Sequence, residues 1–306
     1  MPVLETLAPL ILLIVLGSAL AHIRFLGREF MADLNKLAFW IALPALLFTS
    51  ANHAAEPGSQ TWRLLAVLIA GTLLITLAAW LLSFPLGLPG TARGTLAQSA
   101  FRGNQAYIGI PVLAYSLGDD KKAMATTVIV MVLLMATYNV LAVVVLQSSR
   151  HTGQKIDWGR LLRSIATNPL LLAGLLGLMF PLLHLTPPAF VDRALQSLGN
   201  AAVPIALLCI GGSLAITPLR GRRSWIVAAA LLKIAVLPLL VFWLARLAGL
   251  NPPETLIALV LASCPTAAAS FIMAKQMGGD EALASGSIAL STVLSAASLG
   301  VILWIT

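Results

Sequence analysis

Residues 101–111 read FRGNQAYIGIP, and residues 263–266 read SCPT. Arg102, Asn104 and Gln105 put a guanidinium and two amides beside Gly103, Tyr107, Gly109 and Pro111, inside otherwise apolar sequence. Ser263, Cys264, Pro265 and Thr266 repeat the combination of small polar groups and a proline. Such donors hold an anion such as a carboxylate by charge-assisted hydrogen bonds. Proline adds to this chemistry, because it lacks an N–H and clashes with the carbonyl four residues back. That carbonyl belongs to Tyr107 for Pro111 and to Leu261 for Pro265, so both prolines are expected to break a helix. Glycine lowers the cost of the non-helical backbone that results. Bond-making chemistry is not indicated. The chain has no Gly-x-Ser-x-Gly and no His-Glu-x-x-His. Its histidines (His22, His53, His151, His184) lack zinc spacing, and Cys209 and Cys264 have no partner at disulfide or metal spacing. No cofactor and no metal are expected.

The elements that must position these residues are set by composition. The 306 residues are 59% hydrophobic and 10% charged, far below the roughly 25% charged residues of a soluble domain. Apolar runs of about 20 residues recur, each able to cross about 30 Å of hydrocarbon. The chain therefore reads as an all-α polytopic membrane protein whose partner is the lipid bilayer. Ten spans are expected, at 3–22, 31–51, 62–85, 94–117, 122–147, 163–184, 189–217, 225–248, 254–276 and 282–305. The first carries no basic n-region or cleavage pattern and is read as a retained span with the early charge Glu5. The net charge of +8 does not point to nucleic acid, because the basic residues sit in short loops. Twelve Lys and Arg flank the odd-numbered connections (Arg24, Arg28, Lys36, Arg93, Arg150, Lys155, Arg160, Arg163, Arg220, Arg222, Arg223, Lys275), against five on the other side. The positive-inside rule then places both termini outside and the polar 148–160 connector, with Trp158, in the cytoplasm.

A shift of 160 residues aligns the two halves of the chain. Pro9 meets Pro169, Gly17 meets Gly177, Pro44 meets Pro204, and Gly118 and Asp120 meet Gly278 and Asp280. Residues 1–147 and 161–306 are thus expected to be two five-helix repeats, inverted because five is odd. Inverted repeats bring interrupted helices together at the bilayer midplane. Asn104 lies about ten residues into span 4 and SCPT about ten into span 9, each about 15 Å deep. Spans 4 and 9 are therefore expected to be broken and their breaks to meet near the midplane, with backbone tolerated there because it lines a cavity or is buried in protein. Half-helices that begin at the crossing would aim positive dipole ends at an anion.

GNQAYIGIPVL in span 4, NPLLLAGLLGL at 168–178, VPIALLCIGGSLA at 203–215 and CPTAAASFIMAKQMGGDEALASGSIALST at 264–292 resemble the auxin efflux carrier family across the whole chain. That family joins plant auxin exporters to bacterial carriers of malonate- or malate-like acids, and is distantly similar to bile acid/sodium symporters. The resemblance implies a scaffold of spans 1, 2, 6 and 7 and a moving transport domain of spans 3–5 and 8–10. It also implies a homodimer and a bacterial inner membrane location. The family's Asn before Gly-Ile-Pro maps onto Asn104, and its span 9 proline maps onto Pro265. Gly103 stands where the plant exporters have proline, which argues against auxin as the substrate. The missing long central loop matches a bacterial-type member.

All eleven acidic residues map to loops or span ends, whereas Arg102 and Lys233 lie within spans. Cation carriers commonly place a carboxylate at the midplane, so an organic anion fits better. Arg102 reads either as a fork for a substrate carboxylate or as a side chain snorkelling to headgroups. Lys233 reads as a partner for a carbonyl end of a broken helix, or as a group that titrates. Asn139 on span 5 is a further candidate, Asn35 and Asn168 suit hydrogen bonds between spans, and Pro44 and Pro204 face the rest of the substrate. The leading expectation is a secondary carrier of small organic anions. The alternatives are a sodium-coupled symporter and a membrane-embedded ligand sensor.

Overall fold

The computed structural model describes residues 2–52, 58–118, 120–148, 159, 162–163, 166–214 and 221–305. The 148–160 connector lies outside the described residues apart from Ser148 and Gly159, as do His53, Arg220 and the side chains of Glu5 and Arg28. The described chain is helical. Its helices are α1 Pro2–His22, α2 Arg28–Leu37, α3 Leu43–Asn52, α4 Ser59–Leu82, α5 Gly90–Phe101, α6 Ile110–Leu117 and α7 Lys121–Ser148. They continue as α8 Pro169–Leu182, α9 Ala189–Leu214, α10 Arg223–Leu231, α11 Leu237–Leu247, α12 Pro252–Ser263, α13 Ala269–Gln276 and α14 Glu281–Ile305. Among the described residues, six helices are long and apolar enough to cross a membrane, beginning at Glu29, Ser59, Lys121, Ala189, Arg223 and Glu281. Of the four other expected spans, 94–117 and 254–276 are interrupted, and α8 is only 14 residues long.

Span 6 was expected from residue 163, but α8 starts at Pro169. Asn168 accepts hydrogen bonds from the N–H groups of Leu170 and Leu171, and Pro169 has no N–H to satisfy. The two together make a helix start. Asn168 is therefore an N-cap rather than an amide linking two spans.

Three π turns mark the described residues, at Ala38–Ala42, Gln105–Gly109 and Leu232–Val236, and each is followed two residues later by a proline: Pro44, Pro111 and Pro238. A wider turn relieves the clash of a proline ring with the carbonyl four residues back. The bonds of these turns step by five, as in Leu43 N–H to Ala38 O and Leu237 N–H to Leu232 O. The expected effect of Pro111 is thus corrected. It sits inside α6 after a π turn, and the helix break lies upstream, at 102–104. Pro238 leaves the carbonyl of Ile234 open, and the Ser298 hydroxyl donates to it at 2.8 Å. Ser298→Ala leaves that buried carbonyl unpaired, at a cost of about 1–3 kcal/mol. The expected result is a lower melting midpoint of the purified protein, read by intrinsic fluorescence.

The chain forms two compact units. The first comprises Met1–Thr61, Ala106–Leu133 and Ser164–Ile216. In it α1 packs on α9, and α3 packs on both α8 and α9. Small residues set these approaches: a Cβ on Gly17 would collide with the Leu208 carbonyl, and one on Gly177 would lie 2.6 Å from the Phe48 carbonyl. Phe48 meets Phe180 edge to face, with ring centroids 5.2 Å apart. The second unit comprises Trp62–Gln105, Leu134–Arg163 and Thr217–Thr306. There α14 lies against α5, α10, α12 and α13, and α11 lies against α12. The turn after α13 seats on α5, where the Asp280 N–H donates to Thr95 Oγ1 at 2.9 Å. Gly278 in that turn has φ +64°, a conformation that suits a residue without Cβ.

Candidate functional site

The second unit holds the two interruptions, and they pair with each other. α5 ends at Phe101 and the chain turns extended at Arg102, with φ −74° and ψ 99°. α12 ends at Ser263 and turns extended at Cys264, with φ −54° and ψ 135°. The freed strands form an antiparallel bridge between Gly103 and Thr266. The Asn104 N–H donates to the Pro265 carbonyl at 2.7 Å, and the Ala267 N–H to the Arg102 carbonyl at 2.9 Å. Each break thus satisfies backbone groups of the other, which is what buried non-helical backbone requires. A Cβ on Gly103 would lie 3.3 Å from Cys264 Cβ, so the close approach favours glycine there.

Side chains fix this crossing. Thr266 Oγ1 donates to the Ser99 carbonyl at 2.8 Å, and the Thr266 N–H donates to Ser291 Oγ at 3.0 Å. Cys264 is buried, and its Sγ donates back to the Val260 carbonyl. The hydroxyl of Ser263 is buried without a hydrogen-bond partner. Gln105 is almost fully buried; its Nε2 donates to Tyr138 Oη at 3.2 Å, while its Oε1 has no partner. Asn104 is partly exposed, and among the described residues no hydrogen bond holds its side-chain amide. Of the expected residues, it is the one whose polar head is both accessible and uncommitted.

Both cations within the expected spans serve this same unit. The Arg102 guanidinium donates to Asn139 Oδ1 at 2.7 Å and to the Tyr138 carbonyl at 3.4 Å, so α7 holds it in place. Lys233, in the π turn before Pro238, is completely buried and donates to the Ala262 carbonyl at 2.5 Å. Ala262 is in the last turn of α12, where unpaired carbonyls and the negative dipole end favour a cation. The expected pairing of Lys233 with a carbonyl end of a broken helix is what the geometry contains.

The structure therefore gathers Arg102, Gly103, Asn104, Gln105, Ser263, Cys264, Pro265, Thr266, Asn139 and Lys233 in one unit. Tyr107, Pro111, Pro44 and Pro204 belong to the other. There Tyr107 Oη donates to the Asn35 carbonyl at 3.4 Å. Sequence reasoning missed Tyr138, Ser99 and Ser291. Tyr138 directly precedes Asn139. The serines at 287, 291, 295 and 298 recur at helical spacing, a signal that marks one polar face of α14. Among the described residues no group of three or more His, Cys, Asp or Glu could hold a metal ion.

Two named relatives span nearly the whole chain. "Putative malonate transporter" of Rhizobium meliloti (strain 1021) is 28% identical over 303 residues, covering 96% of this chain and 92% of its own. "Uncharacterized transporter" of Methanothermobacter thermautotrophicus is 29% identical over 300 residues, covering 96% of this chain and 95% of its own. The family described as "Membrane transport protein" matches residues 2–303, and the chain belongs to it, as an auxin efflux carrier-like integral membrane protein.

Proposed function

We infer that the protein is a secondary carrier of small organic anions, mono- or dicarboxylates of malonate type, and that the substrate carboxylate binds at the helix crossing. One observation carries this reading. The carbonyl end of α12 is answered by Lys233, and the start of α13 has neither an acidic residue in its first turn nor a side-chain cap. The N–H groups of Ala268 and Ala269 there have no backbone acceptor among the described residues. Open N–H groups at the positive end of a helix attract an anion. The uncommitted amide of Asn104 supplies directional donors beside them, and Gln105 and Arg102 complete a cradle free of carboxylates. A cation would find none of the negative charge it needs there.

In this reading ten spans form two inverted repeats. Spans 1, 2, 6 and 7 act as scaffold, spans 3–5 and 8–10 move, and access to the crossing alternates. Both termini face away from the cytoplasm of a bacterial inner membrane, and the carrier works as a homodimer. The name of the Rhizobium meliloti relative favours a dicarboxylate.

Purified protein reconstituted in liposomes and given labelled malonate tests the reading. Saturable uptake that competes with other small carboxylates and is indifferent to a sodium gradient is the expected result. Uptake driven many-fold by sodium favours the symporter instead, and binding without any flux favours a sensor.

A further inference from the structure

Gln98, Ser99, Ser263 and Ser270 are completely buried, and neither the Gln98 amide atoms nor the three hydroxyls have a hydrogen-bond partner. Buried polar groups are nearly always paired, so such a concentration calls for an explanation. All four residues lie in the second unit, within a turn or so of the crossing. Gln98 and Ser99 are in the last turn of α5, Ser263 ends α12, and Ser270 is in the first turn of α13. The hydrogen bonds of the crossing link them. The Ser99 carbonyl receives the Thr266 hydroxyl. The Ser270 N–H donates to the carbonyl of Ala267, whose own N–H donates to Arg102. Ala262, which holds the Lys233 ammonium, directly precedes Ser263.

The unpartnered groups include donors: three hydroxyls, each of which can also accept, the Gln98 amide N–H₂, and the N–H groups of Ala268 and Ala269. The acceptors Gln98 Oε1 and Gln105 Oε1 could attract a cation, but charge decides against one. Among the described residues no salt bridge joins Arg102 or Lys233 to a carboxylate. A bound cation would add a third positive charge to a buried region without a negative one, whereas an uncompensated buried charge is itself strongly unfavourable. Water satisfies hydroxyls without answering the ammonium. A small anion does both.

We propose that the second unit binds a small inorganic monoanion of chloride type beside the crossing, held by the hydroxyls of Ser263 and Ser270 and the amide of Gln98, and neutralising Lys233. The proposal deepens the carrier reading and rests on the same crossing, but Gln98 and Ser270 lie outside the carboxylate cradle. The anion is a resident counter-ion that keeps Lys233 and the end of α12 in register whether or not an organic acid is bound.

A carboxylate offers related chemistry, so the test separates the two sources. The melting midpoint of the purified protein is measured while chloride replaces methanesulfonate at constant ionic strength, with malonate added in a separate arm. Chloride, and bromide likewise, is expected to raise the midpoint saturably by about 2–5 °C, as a ligand of the folded state does. Ser270→Ala and Gln98→Leu are each expected to abolish that rise while keeping the shift produced by malonate. Superimposable melting curves in chloride and methanesulfonate overturn the proposal, as does a chloride rise that survives unchanged in both variants. Should neither variant fold, bromide-soaked crystals of the unmodified protein decide: an anomalous peak at Ser263 and Ser270 supports the site, and its absence overturns it. A protein that responds to chloride but not to malonate loses the carrier reading and keeps this one.

Discussion

Asn104→Ala is expected to lower malonate transport about 10- to 150-fold while the protein inserts and melts as before. The estimate follows from the amide: hydrogen bonds to a charged group contribute about 1.5–3 kcal/mol, and about 1.4 kcal/mol is a factor of ten. Stability is spared because the contribution of Asn104 to the crossing is its backbone N–H, which donates to the Pro265 carbonyl and survives the substitution. Its side chain has no hydrogen-bond partner among the described residues to lose. Uptake into proteoliposomes, set beside a melting curve on the same preparation, checks both halves of the expectation. Full-rate transport by a correctly folded variant would remove Asn104 from the binding site, and with it the reading of the crossing as an anion cradle.

Lys233→Met is the second large effect, and here two terms oppose each other. Removing a buried ammonium relieves a desolvation cost, since no carboxylate compensates the charge. Removing it also leaves the Ala262 carbonyl without the donor it now has, at a cost of about 1–3 kcal/mol. The two are of similar size, so the melting midpoint is expected to move by only about 5 °C in either direction. Transport is not spared. For charges on the order of 10 Å apart at an effective dielectric of about 20, a full unit charge is worth about 1.7 kcal/mol, or about 15-fold in affinity, an upper bound that a counter-ion at Lys233 lowers. The loss of the tether on α12 adds to this. Uptake should therefore fall several-fold, up to about 15-fold, whereas Ser298→Ala, which disturbs the same π turn without touching the charge, should cost stability and leave uptake unchanged. Equal transport by Lys233→Met and the parent protein would show that neither the charge nor the tether of Lys233 contributes to uptake.

Much of this arrangement is legible in one dimension, and the reason is chemical. Residues whose backbone chemistry forbids a regular helix announce themselves by type, so an interruption in each of the stretches 94–117 and 254–276 follows from Gly103, Pro111 and Pro265. The cause of each interruption is not legible in the same way. Pro111 shares its local signature with Pro44 and Pro238, and in all three places the chain absorbs the proline by widening one turn. The break at Arg102–Asn104 instead exists because a partner strand, Cys264–Ala267, offers its N–H and carbonyl groups there. A proline's effect on its own helix is local, while a strand pairing across more than 160 residues is not.

The distribution of charge along the chain shows that the interiors of the expected spans lack carboxylates and that two cations stand among apolar neighbours, because composition and hydropathy are properties of the chain. Which groups those cations answer was decided only in three dimensions. Arg102 could have reached for solvent or for a ligand, yet it is held by Tyr138 and Asn139, some 36 positions away. Tyr107 looked like a neighbour of Asn104 in sequence, but it belongs to the other unit and bonds to Asn35. Ser263 stands out in sequence only through its place beside Pro265, and Gln98, Ser99 and Ser270 do not stand out at all, because serine and glutamine are ordinary inside helices. Only burial makes their unmet hydrogen bonds costly, and burial is set by what the rest of the fold lays over them.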